Sequence, residues 1–328
     1  MKPVLLSQTK LFTLENFFRA AFSTRKRALR SILSLLAATI LLLAGCSGSG
    51  NSADEQGIQI AVTVPPQAWL VRQIAGDLVK VQTMVGAGSD PHSYEPTPAQ
   101  MVALAETDIY FTVGIEFEEA WMPKLSNSNR SMKVIPSDTG VQRIVSEHSH
   151  ADEDGDEHAE SEHAEEGTDP HIWYSPKRMA IMAENIGREL IKFDPQNKAV
   201  YEANLEKLLA EINQLESETA SKLGSVQRKH FVILHPTLGY LAADYGLVQI
   251  AVESEGQEPG PEAMAHLIET AKNNGVKAIF YQKGNSIKIV ESIAGQIGAS
   301  QLTEIDSMPE DWPKGLMQAV DGLVEALN

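Results

Sequence analysis

Short β-rich runs alternate with helical segments along most of the sequence, and this alternation is the strongest restriction on the fold. The runs form two groups, at 58–64, 79–85, 108–113 and 132–135, and at 231–234, 247–252, 278–281 and 302–305. Segments with helical spacing lie between them, at 67–76, 98–106, 262–273 and 287–297. Strands that alternate with helices form parallel β/α units. We therefore predict an α/β fold with two lobes, each built on a mainly parallel sheet.

A long stretch between the two groups is predicted to form one helix. Pro195 suits the first turn of a helix, with Asp194 as its cap. Apolar residues then recur every three or four positions, which predicts one apolar stripe; they are Tyr201, Leu205, Leu208, Ile212 and Leu215. The prediction is a linking helix over 195–222 that joins an N-terminal lobe (57–194) to a C-terminal lobe (223–328).

The N-terminal 45 residues have the pattern of an export signal rather than of a folded element. A basic cluster at 25–30 precedes an uncharged apolar stretch at 32–43, which is too short for a comfortable membrane span. The next residues, Leu-Ala-Gly-Cys at 43–46, resemble the lipobox of bacterial lipoproteins. Cys46 is the only cysteine in the sequence. We expect cleavage after residue 45, acylation of Cys46, a flexible tether at 46–56, and an extracytoplasmic protein anchored to a bacterial membrane.

The charge of the chain limits its partners. The formal net charge is −17, and it becomes about −23 when residues 1–45, with seven basic residues and one acidic residue, are removed. Nucleic acids and anionic substrates are poor partners for such a chain, whereas cations are attracted to it. Composition alone is weak evidence for a metal, because many acidic proteins bind none.

One segment, residues 147–167, has no apolar periodicity and is predicted to be a mobile loop. It is densely acidic and holds four of the nine histidines in the sequence: His148, His150, His158 and His163. Tracts of this kind bind metals through neutral imidazole. We interpret the loop as an auxiliary, low-affinity metal collector; the alternative is a solvated acidic insertion whose histidines have no role.

Three other histidines occur in loops marked by proline. His92 and His171 each end an Asp-Pro-His tripeptide, and these two tripeptides lie about eighty residues apart, while His235 is followed by proline. Proline restricts the backbone around it, and ligands bind at the carboxyl ends of parallel strands. Asp306 follows the last predicted strand. Three imidazoles and a carboxylate are a suitable ligand set for zinc, whereas calcium and magnesium require more oxygen ligands.

Four ordered blocks extend these motifs and carry a family resemblance. They are DPHSYEPTP at 90–98, DPHIWYSP at 169–176, the pattern DPxNxxxYxxN at 194–204, and HPTLGYLAADYGL at 235–247. Together they resemble the zinc and manganese solute-binding proteins of bacterial ABC importers, over nearly the whole mature chain. The resemblance implies two β/α lobes joined by a rigid helix, a metal between the lobes, and an ABC permease and its ATPase as partners. A monomer that binds no nucleic acid is expected.

The resemblance also implies a role for each motif residue. His92 and His171 would be metal ligands from the N-terminal lobe, and His235 the first ligand from the C-terminal lobe. Manganese-specific members carry a glutamate where His235 stands, so the resemblance favours Zn²⁺ over Mn²⁺ as cargo. Asp306 matches the family's C-terminal aspartate, although the usual Asp-Pro-Leu is here Asp-Ser-Met.

That departure leaves the fourth ligand open between Asp306, a water molecule and a glutamate. Glu116 and Glu118, in a predicted loop after the strand at 108–113, are the glutamate candidates; otherwise they would be solvated residues.

Other functions are compatible with the same residues. Three histidines on zinc with an open position also occur in hydrolases. The sequence contains no HExxH helix and no nucleophile elbow, so we do not expect an enzyme. Manganese or another transition metal is an alternative cargo, and a lipoprotein without any cargo is a third possibility.

Overall fold

Each lobe is built on a four-stranded parallel sheet. The computed structural model describes residues 57–89, 91, 93–144, 168–253, 259–283 and 287–328. The strands are β1 (Ile58–Val62), β2 (Val79–Thr83), β3 (Ile109–Thr112), β4 (Lys133–Pro136), β5 (His230–Ile233), β6 (Val248–Ala251), β7 (Ala278–Gln282) and β8 (Gln301–Ile305). The strand order is β2-β1-β3-β4 in the first sheet and β6-β5-β7-β8 in the second, and all neighbours are parallel. Each predicted β-rich run overlaps one strand, and the predicted α/β fold with two parallel lobes is confirmed.

Nine helices accompany these strands in the described part of the chain. They are α1 (Pro65–Ala75), α2 (Pro98–Leu104), α3 (Glu116–Ser128), α4 (Pro176–Phe193), α5 (Lys198–Gly224), α6 (Gly239–Tyr245), α7 (Pro261–Asn273), α8 (Ile287–Ile297) and α9 (Trp312–Leu327). Helix α5, with 27 residues, is the long element between the two sheets. No helix among these nine is both long and apolar enough to cross a membrane.

Four helices, α3, α4, α6 and α9, were not predicted from the sequence. Helix α3 occupies the segment that we expected to be a loop. The helix was missed because the residue before it, Ile115, provides no capping side chain and because Pro123 lies inside it. Helix α4 does carry start signals: Ser175 accepts a hydrogen bond from the backbone of Arg178, and Pro176 occupies the first turn. These signals, together with the length of the breaker-free stretch, indicate two consecutive helices rather than one.

The start of helix α5 is fixed by the side chains of the DPxNxxxYxxN pattern. Asp194 was expected to cap the helix, but its carboxylate instead accepts hydrogen bonds from the Asn197 amide at 2.6 Å and the Tyr201 hydroxyl at 2.8 Å. The bond from Asn197 holds the pKa of Asp194 below its ordinary value. One turn later, the amide of Asn204 donates to the carbonyl oxygen of Ile74 in α1 at 2.9 Å. The pattern therefore joins α4, α5 and the N-terminal lobe.

One apolar core runs through both lobes. Trp69 of α1 packs against Trp312 of α9, with ring centroids 5.2 Å apart, and Leu208 and Ile212 of the linking helix are buried in the same core. A second, smaller cluster lies between the C-terminal sheet and helices α7 and α8. Residues 57–328 accordingly form one compact unit. Separating the lobes would expose large aromatic side chains to water, which is strongly unfavourable.

Candidate metal site

Two of the three histidines predicted to bind metal are brought together where the lobes meet. His171 precedes a short 3₁₀ turn (Ile172–Tyr174) at the start of α4, and His235 follows strand β5. Their ring centroids are 5.2 Å apart and the rings are nearly perpendicular, at 83°. A single cation bound to both imidazoles requires them to be neighbours of this kind.

The His171 ring is held by a buried carboxylate two residues earlier. Asp169 Oδ1 accepts a hydrogen bond from the His171 backbone at 2.8 Å and lies 2.8 Å from the ring nitrogen Nδ1. The side chains are only 8% and 6% exposed, respectively. Because an ionised carboxylate can only accept, this contact favours the tautomer of His171 with the proton on Nδ1.

Space for Asp169 depends on a glycine in the other lobe. A Cβ atom on Gly239, the first residue of α6, would lie 2.3 Å from Asp169 Oδ2. Any other residue at this position would displace the carboxylate that orients His171, so the close approach requires glycine.

His235 is contacted from both neighbouring strands. The sheet order places β6 and β7 on either side of β5. Glu253, two residues after β6 ends, has Oε2 3.5 Å from His235 Nδ1. Gln282, the last residue of β7, donates from its amide to the His235 carbonyl oxygen at 2.9 Å.

Sequence reasoning missed the roles of Asp169, Glu253 and Gln282. Asp169 was visible as the first residue of the repeated Asp-Pro-His tripeptide. Glu253 and Gln282 could have been found by inspecting polar residues at the ends of the strands predicted to flank His235, because parallel strands present their carboxyl ends at one edge.

Asp306 is not part of this pair. Asp306 is exposed after β8, and its Oδ1 accepts a hydrogen bond from the backbone of Met308 at 3.0 Å. His92, Cys46 and the loop histidines His148, His150, His158 and His163 lie outside the described residues. Within the described ranges, no three His, Cys, Asp or Glu residues form a group that could hold a metal ion.

The segment that carries His171 is fastened to the C-terminal lobe. We refer to residues 169–175 as the His171 segment. Its backbone accepts hydrogen bonds from the Tyr240 hydroxyl at 2.6 Å and the Trp312 indole at 2.6 Å. Its side chains also reach the C-terminal lobe: the Trp173 indole donates to the Ser307 carbonyl oxygen at 2.8 Å, and the Tyr174 and Ser175 hydroxyls donate to Asp306 and Asp244.

Glu118 lies elsewhere and is neither a solvated residue nor part of a loop. It is buried in the first turn of α3, where Val113 N donates to Oε1 at 2.9 Å, Gly114 N donates to Oε2 at 2.7 Å, and the Thr63 hydroxyl donates to Oε1. Burial raises the pKa of Glu118 from its ordinary 4.5 to about 7, and these hydrogen bonds only partly oppose the shift. Glu118 thus fixes the turn between β3 and α3.

Replacing Glu118 by Gln should change how stability depends on pH. Between about pH 4.5 and 7 the folded protein retains a proton on Glu118 that the unfolded chain releases, so this residue's contribution to the free energy of unfolding falls as pH rises. The total fall is roughly 3 kcal/mol at 1.36 kcal/mol per pKa unit. Urea unfolding between pH 4.5 and 8 should therefore show wild type losing stability relative to Glu118→Gln. Glu119→Gln, on the exposed side of the same helix, is the control, and parallel curves for Glu118→Gln and wild type would contradict the assignment.

One family model and two relatives of this chain have names that refer to zinc. A family model described as zinc-uptake complex component A, periplasmic, matches residues 60–326. The chain is 30% identical over 312 residues to the high-affinity zinc uptake system protein ZnuA of Bacillus subtilis (strain 168), covering 90% of this chain and 97% of that protein. It is 31% identical over 288 residues to the zinc-binding lipoprotein AdcA of Streptococcus pneumoniae (strain ATCC BAA-255 / R6), covering 85% of this chain but only 56% of that protein.

A solved structure extends the similarity to the fold. The crystal structure of a ZnuA deletion mutant with zinc bound has a TM-score of 0.74 to this chain at 36% sequence identity. The match covers 83% of this chain and 98% of the other.

Proposed function

This chain belongs to the family of the periplasmic component A of zinc-uptake complexes, and from this premise we propose that it captures Zn²⁺ outside the cytoplasm and delivers it to an ABC permease and its ATPase. The observation that carries the proposal is the pair His171 and His235, whose rings lie 5.2 Å apart where the lobes meet. Capture and release require a ligand set that is held in place before the metal arrives, and the hydrogen bonds that Asp169 accepts from His171 provide this for one ligand.

The chemistry of the neighbouring groups favours a divalent transition metal as cargo. Neutral imidazole nitrogens suit zinc better than they suit calcium or magnesium. Asp169 and Glu253 place two carboxylates behind the imidazoles, and their charge would offset that of a bound dication in a partly buried site. We propose His92 as the third imidazole, from its place in the repeated tripeptide, and either Asp306 or a water molecule as the fourth ligand.

Replacing either paired histidine by alanine should remove tight zinc binding. We expect His171→Ala and His235→Ala each to raise the zinc dissociation constant by about 100-fold or more, because losing even a residue that only orients a zinc ligand costs 10–100-fold. Elemental analysis of the purified mature protein and competition with a chelator measure the effect. His266→Ala, at an exposed position in α7, is the matched control. Wild-type zinc affinity in both site variants would refute the proposed function.

The acidic loop at 147–167 is proposed to collect metal for this site rather than to form it. Its composition supports this role, since four histidines lie among many carboxylates. Deleting residues 147–167 should leave the dissociation constant of the tight site within about threefold of wild type, because the paired histidines lie outside the loop. Loading should slow only at scarce zinc. Stopped-flow loading and equilibrium competition separate the two effects, and a large loss of equilibrium affinity would move the loop into the primary site.

We propose a lipid anchor at Cys46. The lipobox-like residues 43–46 support it, and one relative is named a zinc-binding lipoprotein. Replacing Cys46 by Ser should move the exported protein from the detergent phase to the aqueous phase on phase partitioning, since the thioether lipid would no longer be attached. Retention of wild-type partitioning by Cys46→Ser would exclude acylation at this residue.

A further inference from the structure

The His235 backbone is fixed from one side by Gln282, but its imidazole ring requires a separate constraint. Gln282 donates to the His235 carbonyl oxygen, which sets the position of the chain after β5. Rotation about the side-chain bonds would still let either ring nitrogen point towards the metal. The ring of a histidine that binds metal is usually held by a hydrogen bond from its other ring nitrogen to a nearby acceptor.

Glu253 is placed to supply that acceptor. Its Oε2 lies 3.5 Å from His235 Nδ1, and both side chains are only 16% exposed. The backbone of Glu253 is itself anchored, because its N–H donates to the Leu234 carbonyl oxygen at 2.8 Å, next to His235 in the chain. Carboxylate and imidazole are thus held on one framework formed by the ends of β5 and β6.

His171 and His235 have the same kind of carboxylate contact. Asp169 contacts Nδ1 of His171, and Glu253 contacts Nδ1 of His235, so that each imidazole has a carboxylate on the same ring nitrogen. The 3.5 Å contact at His235 is longer than the 2.8 Å contact at His171. With both Nδ1 atoms directed at carboxylates, we expect zinc to bind through the two Nε2 atoms.

We propose that Glu253 is a positioning residue of the metal site, which acts through His235 and does not touch the metal. This inference rests on the proposed function, since it assigns a role within the same site. Removing the carboxylate should let the His235 ring rotate and should weaken its bond to zinc, whereas the fold of the lobe should be unaffected because Glu253 is at the sheet edge.

A double-mutant cycle with zinc as the probe tests the proposal on the full mature chain. Glu253→Ala should raise the zinc dissociation constant 10–100-fold in the wild-type background. In the His235→Ala background the same change should have an effect of less than about threefold, because the group that it positions is gone. Glu253→Gln, whose amide oxygen can still accept from Nδ1, should recover most of the affinity. Glu269→Gln, an exposed carboxylate on α7, is the control.

A spectroscopic readout separates positioning from general stability. In ¹⁵N-histidine spectra of the zinc-bound protein, His235 should be bound through Nε2 in wild type and in Glu253→Gln, and should show mixed binding through Nδ1 and Nε2 in Glu253→Ala. Equal losses from Glu253→Ala in both backgrounds would make Glu253 a direct ligand and overturn the proposal. Unchanged affinity and spectra in Glu253→Ala would also overturn it. If wild type itself bound no zinc, the proposed function would fail, and this outcome is distinguishable from the two results that overturn the role of Glu253.

Discussion

The hydrogen bonds between the His171 segment and the C-terminal lobe are the contacts on which the geometry of the proposed metal site depends. His171 precedes α4 in the chain, yet its neighbours are bonded to α6, to α9 and to the loop after β8. Two of the donors are indole N–H groups, and leaving such a group buried without a partner costs about 1–3 kcal/mol. Burial also raises the pKa of Tyr240 to about 12, so this donor keeps its proton at any physiological pH. The segment is therefore held in place before a metal binds.

The apolar core strengthens the same constraint. Because Trp69 and Trp312 pack together across the two lobes and α5 is buried against both, the distance between His171 and His235 is set by side-chain packing. The smaller cluster between the C-terminal sheet and helices α7 and α8 is separate from this core. His235 follows β5, a strand whose side chains pack into both the main core and the smaller cluster. Packing in both clusters therefore fixes the position of His235.

The sequence predicted the layers of the fold well and the supporting groups of the site poorly. Alternation of β-rich and helical runs is a local signal, and it located all eight strands of the described residues. Helix α3 was missed because it has no capping side chain and contains Pro123. The pairing of His171 with His235 was anticipated from their shared proline-marked loops. Glu253, however, follows no motif, and its importance arises only from the strand order that sets it beside β5.

The close contact between Gly239 and Asp169 links the evolution of the two lobes. Gly239 belongs to the C-terminal lobe, but the atom it makes room for is a carboxylate oxygen of Asp169, which precedes the linking helix. The two halves of the molecule therefore cannot diverge independently at this point. A chimera that joined the N-terminal half of one family member to the C-terminal half of another would keep an oriented His171 only if the incoming half carried glycine at this position. Recombination within the family is thus restricted by the room available to one side chain.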